Sequence, residues 1–319
     1  MKKIYLISIF ILTVAMLFLP MAAGGVADSP TNLPVIGETV FPKDENKKVG
    51  KVRVLMHESG EVVEMNYEDY LFSVVAAEMP ALYEVEALKA QAVAAYTYAL
   101  CKAEQSDADY DITDDSKTDQ AFITVEEAKQ RWQENFAEYE GKLKGAIKAV
   151  LGKKITSDGK VILAAYHAIS SGKTEDAADF WGSKYSYLKS VDSEGDKLAP
   201  NYLSSVTFDE SELAEKLKET VALSGEGSGW FADISRTAAG GVKEITVGGN
   251  KMTGGEVRKA LGLRSPNFEI AYKEGSFTFT VRGYGHGMGM SQYGANYMAQ
   301  QGKSYEEILL HYYSGCEVG

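Results

Sequence analysis

A chain of 319 residues with 45% apolar and 11% aromatic side chains can bury a full hydrophobic core, which excludes wholesale disorder. A formal net charge of −12 argues against a nucleic-acid partner, because such a partner needs a basic surface to neutralise its phosphates. Two cysteines, Cys101 and Cys316, are too few for a disulfide framework or a four-thiolate zinc site. The four histidines lack HExxH spacing, and no GxxxxGK[ST] phosphate loop occurs.

Lys2 and Lys3 precede residues 4–23, a run of 20 residues without a charge. About 20 apolar residues cross the hydrocarbon core of a bilayer, and the lysines put the N-terminus on the cytoplasmic side. The run is expected to be a retained membrane anchor; a cleaved signal segment ending near Met21, Ala22 and Ala23 is the alternative. Both readings export the rest of the chain. Residues 24–50, with Pro30, Pro34 and Pro42, read as a flexible linker. The folded part is expected over residues 51–319.

Residues 51–56 alternate like a strand, Glu58, Ser59 and Gly60 turn, and residues 61–65 return. Asn66 is the expected N-cap of a helix over residues 67–77, with Glu68 and Asp69 in its first turn and Pro80 beyond its end. Residues 86–104 read as a second, alanine-rich helix, residues 105–120 as an acidic loop, and residues 125–144 as helical. An apolar strand over residues 160–166 runs into a polar turn. Residues 210–221 have the pattern of an exposed helix, and residues 242–247 that of a strand. Thr253 and Glu256 have capping-box spacing before a short helix ending at Leu261. Residues 277–281 alternate as a half-buried strand. Helices over residues 291–301 and 305–312 close the chain, the second with a Ser304–Glu307 capping box. This order predicts a mixed α/β (α+β) fold: one large exported domain with antiparallel sheet and packed helices, preceded by the transmembrane helix.

Three places hold residues suited to chemistry. Glu78 closes an apolar helix in VAAEMP. The helix C-terminus and the apolar neighbours both disfavour its charged form, which suits a general acid; a solvated acid at a helix end is the bland alternative. The run GYGHGMGMSQYGA, residues 283–295, has glycine at alternate positions, which permits positive φ and close approach of the backbone to a ligand. Its His286, Ser291 and Gln292 can grip sugar hydroxyls and amides. The third place is Tyr166 and His167 with Ser170, at a strand end where binding residues are common.

These blocks together resemble the stage II sporulation protein D family, which includes amidase-enhancer proteins of the bacterial wall. The resemblance covers roughly residues 51–319. EALKAQAVAAYTYAL (residues 86–100), SPNFEI (265–270) and GYGHGMGMSQYGA carry it most strongly; YHAISSGKTE (166–175) and WGSKYSYLKSVD (181–192) add to it. The resemblance implies a membrane-anchored lytic transglycosylase that cuts peptidoglycan glycan strands at the engulfing septum, with Glu78 as its catalytic acid. Gln120, His167, Ser170, His286, Ser291 and Gln292 are the candidates for orienting the strand. A sporulation amidase or endopeptidase and a membrane scaffold protein are the implied partners. Tyr96 stands where the family usually has Arg, so a cation near the catalytic acid is expected to be lost, and Ser171 stands where glycine is usual. Some relatives bind zinc through Cys and His in the loop at residues 112–122; this loop has neither, so no metal and no cofactor is expected. A non-catalytic, wall-binding enhancer of an amidase is the competing reading.

Overall fold

The computed structural model describes residues 50–180 and 185–319. The expected anchor and the linker up to residue 49 lie outside the described residues, as does the start of the WGSKYSYLKSVD block. Among the described residues no helix is long and apolar enough to cross a membrane.

β1 (Lys51–Leu55) and β2 (Val62–Asn66) make the expected hairpin, with Val54 opposite Val63. α1 (Tyr67–Glu78) starts at the expected cap, where the Asn66 side chain accepts from the Asp69 N–H. α2 (Val85–Gln105) packs along it, and Ala87, Ala90, Ala94 and Ala95 are fully buried, so small side chains set the close approach. β3 (Ile112–Thr113) pairs in parallel with β1. The expected helix over residues 125–144 is two helices, α3 (Val125–Trp132) and α4 (Phe136–Val150). Between them Gln133 takes a φ of 47°, outside the right-handed helical region.

The apolar run at residues 160–166 is not one strand. β4 (Ile155–Ser157) pairs with β5 (Lys160–Val161), while residues 162–165 pack into the core without a ladder. Pairing resumes at β6 (Tyr166–His167), and a short α5 (Ala177–Phe180) follows.

A β-rich segment then intervenes: β7 (Leu203–Asp209), α6 (Glu210–Leu217), β8 (Phe231–Arg236), β9 (Val242–Val247), β10 (Asn250–Met252), α7 (Gly254–Leu261), β11 (Phe268–Lys273) and β12 (Ser276–Arg282). Its strands form two antiparallel sheets, ordered β11–β12–β7 and β10–β9–β8. The Thr253–Glu256 capping box is present at α7. β13 (Met290–Ser291), α8 (Gln292–Gln300), α9 (Tyr305–Tyr312) and β14 (Glu317–Val318) return the chain to the helices, and α9 begins at the Ser304–Glu307 capping box.

Two hydrophobic clusters result. The larger is built on α1, α2, α4, α8 and α9 around Tyr70, Leu71, Leu88, Ile147 and Tyr312. The smaller belongs wholly to the β-rich segment, around Trp230, Phe268, Phe277 and Phe279. The fold is therefore mixed α/β with several antiparallel sheets, as the patterning implied.

Candidate functional site

Glu78 is the last residue of α1, and Met79 caps the helix by donating its N–H to the Val75 carbonyl. The carboxyl sits where three distant segments meet. Its Oε1 accepts the Ala121 N–H at 2.8 Å and the Tyr166 hydroxyl at 3.4 Å. Its Oε2 accepts from Gln292 Nε2 at 3.1 Å. Loss of hydration dominates its titration: burial pushes the pKa up to about 7, and the three donors pull it only part of the way back.

Each donor is delivered by local structure. The loop carrying Ala121 is pinned on both sides. Asp119 accepts from the Thr113 N–H, and the Ile123 N–H donates to the Ser73 carbonyl of α1. Tyr166 stands on β6, which runs parallel to β13 with Met290 opposite Tyr166 and Ser291 opposite His167. That register places Gln292, the next residue, on the Glu78 side. Ser291 caps α8 by accepting the Gly294 N–H, which fixes the helix that carries Gln292.

Behind the carboxyl runs a buried polar chain. Tyr70 donates to Gln120 Oε1 at 2.7 Å, and Gln120 Nε2 donates to the Tyr166 hydroxyl at 2.8 Å. On the other side Gln292 Nε2 also reaches Gln91 Oε1 at 3.5 Å. Gln120 and Gln292 thus belong to the cage around Glu78, and each exposes no more than 4% of its surface.

The other expected residues gather elsewhere. His167 and His286 face one another with ring centroids 5.7 Å apart. His167 Nδ1 bonds the Met288 carbonyl at 3.0 Å, and His286 Nδ1 accepts the Met288 N–H at 3.1 Å. Burial lowers both pKa values, that of His167 to about 4, so both rings are neutral near pH 7. Ser170 and Ser291 surround Asp196, a residue that sequence reasoning missed. Asp196 accepts the Ser170 N–H at 2.9 Å and the Ser291 hydroxyl at 2.8 Å. It is fully buried, and desolvation pushes its pKa up to about 6.

The glycine run has the expected positive φ values, but the backbone that approaches it closely is the protein's own. A Cβ at Gly289 would collide with the Ala165 carbonyl, and one at Gly285 would come within 2.7 Å of the His167 Cβ. These glycines let the run lie flat on residues 165–170, which is how β13 reaches β6.

Tyr96 packs against the start of α1. Its ring lies edge-on against Tyr67 at 4.7 Å, at the opposite end of α1 from Glu78. The tyrosine is a packing residue here. Cys101 and Cys316 are buried free thiols, with pKa values raised by burial to about 12 and about 11. Among the described residues no group of three or more His, Cys, Asp or Glu side chains is arranged to hold a metal ion.

A helical core that ends in a desolvated, caged carboxyl, with a glycine run bringing in its last donor, defines the site. Residues 56–156 match the family described as SpoIID, Stage II sporulation protein. The chain is 39% identical to the Stage II sporulation protein D of Bacillus amyloliquefaciens over 256 residues, covering 79% of this chain and 73% of that protein. Against the Stage II sporulation protein D of Bacillus subtilis (strain 168) the identity is 36%, over 79% and 74% of the two chains. The amidase enhancer of Bacillus subtilis (strain 168) is 26% identical, over 77% of this chain and 39% of that protein. The chain belongs to the Stage II sporulation protein D family.

Proposed function

We propose that the chain is a membrane-anchored lytic transglycosylase of sporulation, cutting peptidoglycan glycan strands after N-acetylmuramic acid and leaving a 1,6-anhydro end. The observation that carries this reading is the caged Glu78 carboxyl, whose pKa of about 7 lets one group serve as acid and then as base at neutral pH. Glu78 gives its proton to the oxygen that leaves N-acetylmuramic acid. The sugar's 2-acetamido group shields the developing positive charge, as in substrate-assisted glycosidases. The Glu78 carboxylate then takes the proton of the 6-hydroxyl, whose oxygen closes the anhydro ring. No water is consumed, and the carboxyl ends protonated as it began. Such acid–base help contributes on the order of 10²–10⁴ in rate, and holding the strand in register supplies much of the remainder.

The exported position follows from the uncharged run at residues 4–23. A sporulation amidase or endopeptidase and a membrane scaffold protein are the partners proposed with it. The test is incubation of the protein with purified glycan strands and no other enzyme, followed by mass spectrometry of the sugars. Anhydro-terminated products are expected.

The similarity to the amidase enhancer favours a second reading, a wall-binding protein that stimulates an amidase. In that case glycan strands stay intact with this protein alone, and cleavage by an added amidase speeds up.

A further inference from the structure

We propose that Tyr166, oriented by Gln120, is a positioning residue that keeps the transferable proton of Glu78 on Oε2, the oxygen beside Gln292, and off Oε1. The Gln120 amide sets the direction of the polar chain. Its Nε2 faces the Ala95 carbonyl at 3.4 Å, and a backbone carbonyl can only accept. That contact fixes which end of the amide is which. Gln120 Oε1 then takes the Tyr70 hydroxyl, and Nε2 gives a hydrogen to the Tyr166 oxygen.

With that hydrogen arriving from Gln120, the Tyr166 hydroxyl has one acceptor left for its own proton among the described residues, Glu78 Oε1. Oε1 also accepts the Ala121 N–H, and a backbone N–H cannot reverse. Both lone pairs of Oε1 are therefore occupied by donors. Protonating Oε1 would set its hydrogen against that of Tyr166, at the cost of an unmade hydrogen bond. Oε2 receives one donor, Gln292 Nε2, and keeps a site for a proton. Gln292 Nε2 also lies 3.5 Å from Gln91 Oε1. The polar chain thus makes the two oxygens of one carboxyl chemically distinct. Oε1 anchors the group and Oε2 exchanges the proton.

The use of that proton rests on the proposed lytic reaction, but its position does not, so the test reads the carboxyl directly. The full chain is labelled with glutamate carrying ¹³C at its side-chain carboxyl, and Glu78→Gln identifies the Glu78 signal. Tyr166→Phe removes a donor to the carboxylate and should raise the Glu78 titration midpoint by about one unit. Gln120→Glu keeps the acceptor for Tyr70 and abolishes the donor to Tyr166, freeing that hydroxyl to turn away from Glu78; it should also raise the midpoint. A Glu78 midpoint that stays put or falls in either folded variant overturns the proposal, since a merely structural tyrosine would change stability alone. If the protein cleaves glycan, the alkaline limb of kcat/KM should move up in step with the midpoint. If it cleaves none, the lytic reading fails while the midpoint still decides this one.

Discussion

The two hydrophobic cores differ in what is buried with their apolar side chains. The β-rich core, residues 206–281, packs aromatic rings on aliphatic side chains: Trp230 stacks on Phe277 at 5.5 Å, and Phe279 meets Phe208, Phe231 and Phe268 edge-on. The helical core is the larger, and it threads hydrogen-bonding side chains through its apolar packing, among them Gln91, Gln120, Tyr166, Asp196 and Gln292. Most of these buried polar groups satisfy one another, while Gln91 Nε2 finds no partner among the described residues. The contrast separates two tasks: a predominantly apolar core holds shape, and a core with a polar chain holds a carboxyl whose pKa is raised.

The largest effect that would sharpen this contrast lies in the β-rich core. Phe279→Ala should cost about 3–5 kcal/mol of stability, read from denaturant unfolding, while leaving the Glu78 titration unchanged. A shifted Glu78 midpoint would mean that the two cores are not independent. Asp196→Asn comes next. The amide puts an NH2 group where one carboxylate oxygen stood, so either the Ser170 N–H loses its acceptor or the Ser291 hydroxyl must reverse, and roughly 1–3 kcal/mol should be lost. A variant as stable as the parent would show that Asp196 is protonated and already amide-like.

A further effect is one of pH. Burial raises the Glu175 pKa to about 7 against an ordinary value of 4.5. A carboxyl whose folded pKa is raised contributes stability that is complete below the unfolded pKa and is lost as pH rises through the folded one. Neutral, buried His167 and His286 tilt the stability curve the other way, so a comparison is needed to isolate the carboxyl. The stability of the parent relative to Glu175→Gln should fall as pH rises from about 4.5 to about 7. A constant difference across that window would break the account of Glu175.

Local chemistry was legible in the sequence, and long-range geometry was not. The Asn66 cap, the capping boxes at Thr253 and Ser304 and the first hairpin follow from residues within a few positions of each other. Glu78 was readable as a helix-end acid among apolar neighbours. Its cage was not, because Ala121, Tyr166 and Gln292 lie 43, 88 and 214 residues away along the chain. Gln292 stood out in the glycine run and Gln120 in the loop at residues 112–122, but their burial behind and beside the carboxyl depends on how β6 and β13 pair. Asp196 gave no local signal, since it follows an ordinary run of charged residues. The glycine run signalled close approach correctly but not to what, and a backbone and a ligand make the same demand on a missing Cβ. The broken helix near Gln133 escaped because its sequence keeps helical spacing across the break.

The central claim is that Glu78 is both acid and base. Glu78→Gln retains the shape and most of the hydrogen bonding of the site but has no proton to give near pH 7. Turnover of purified glycan strands should fall by at least about 10²-fold, with thermal unfolding of the same preparation near that of the parent. Near-normal release of anhydro sugars by a folded Glu78→Gln protein would contradict the account.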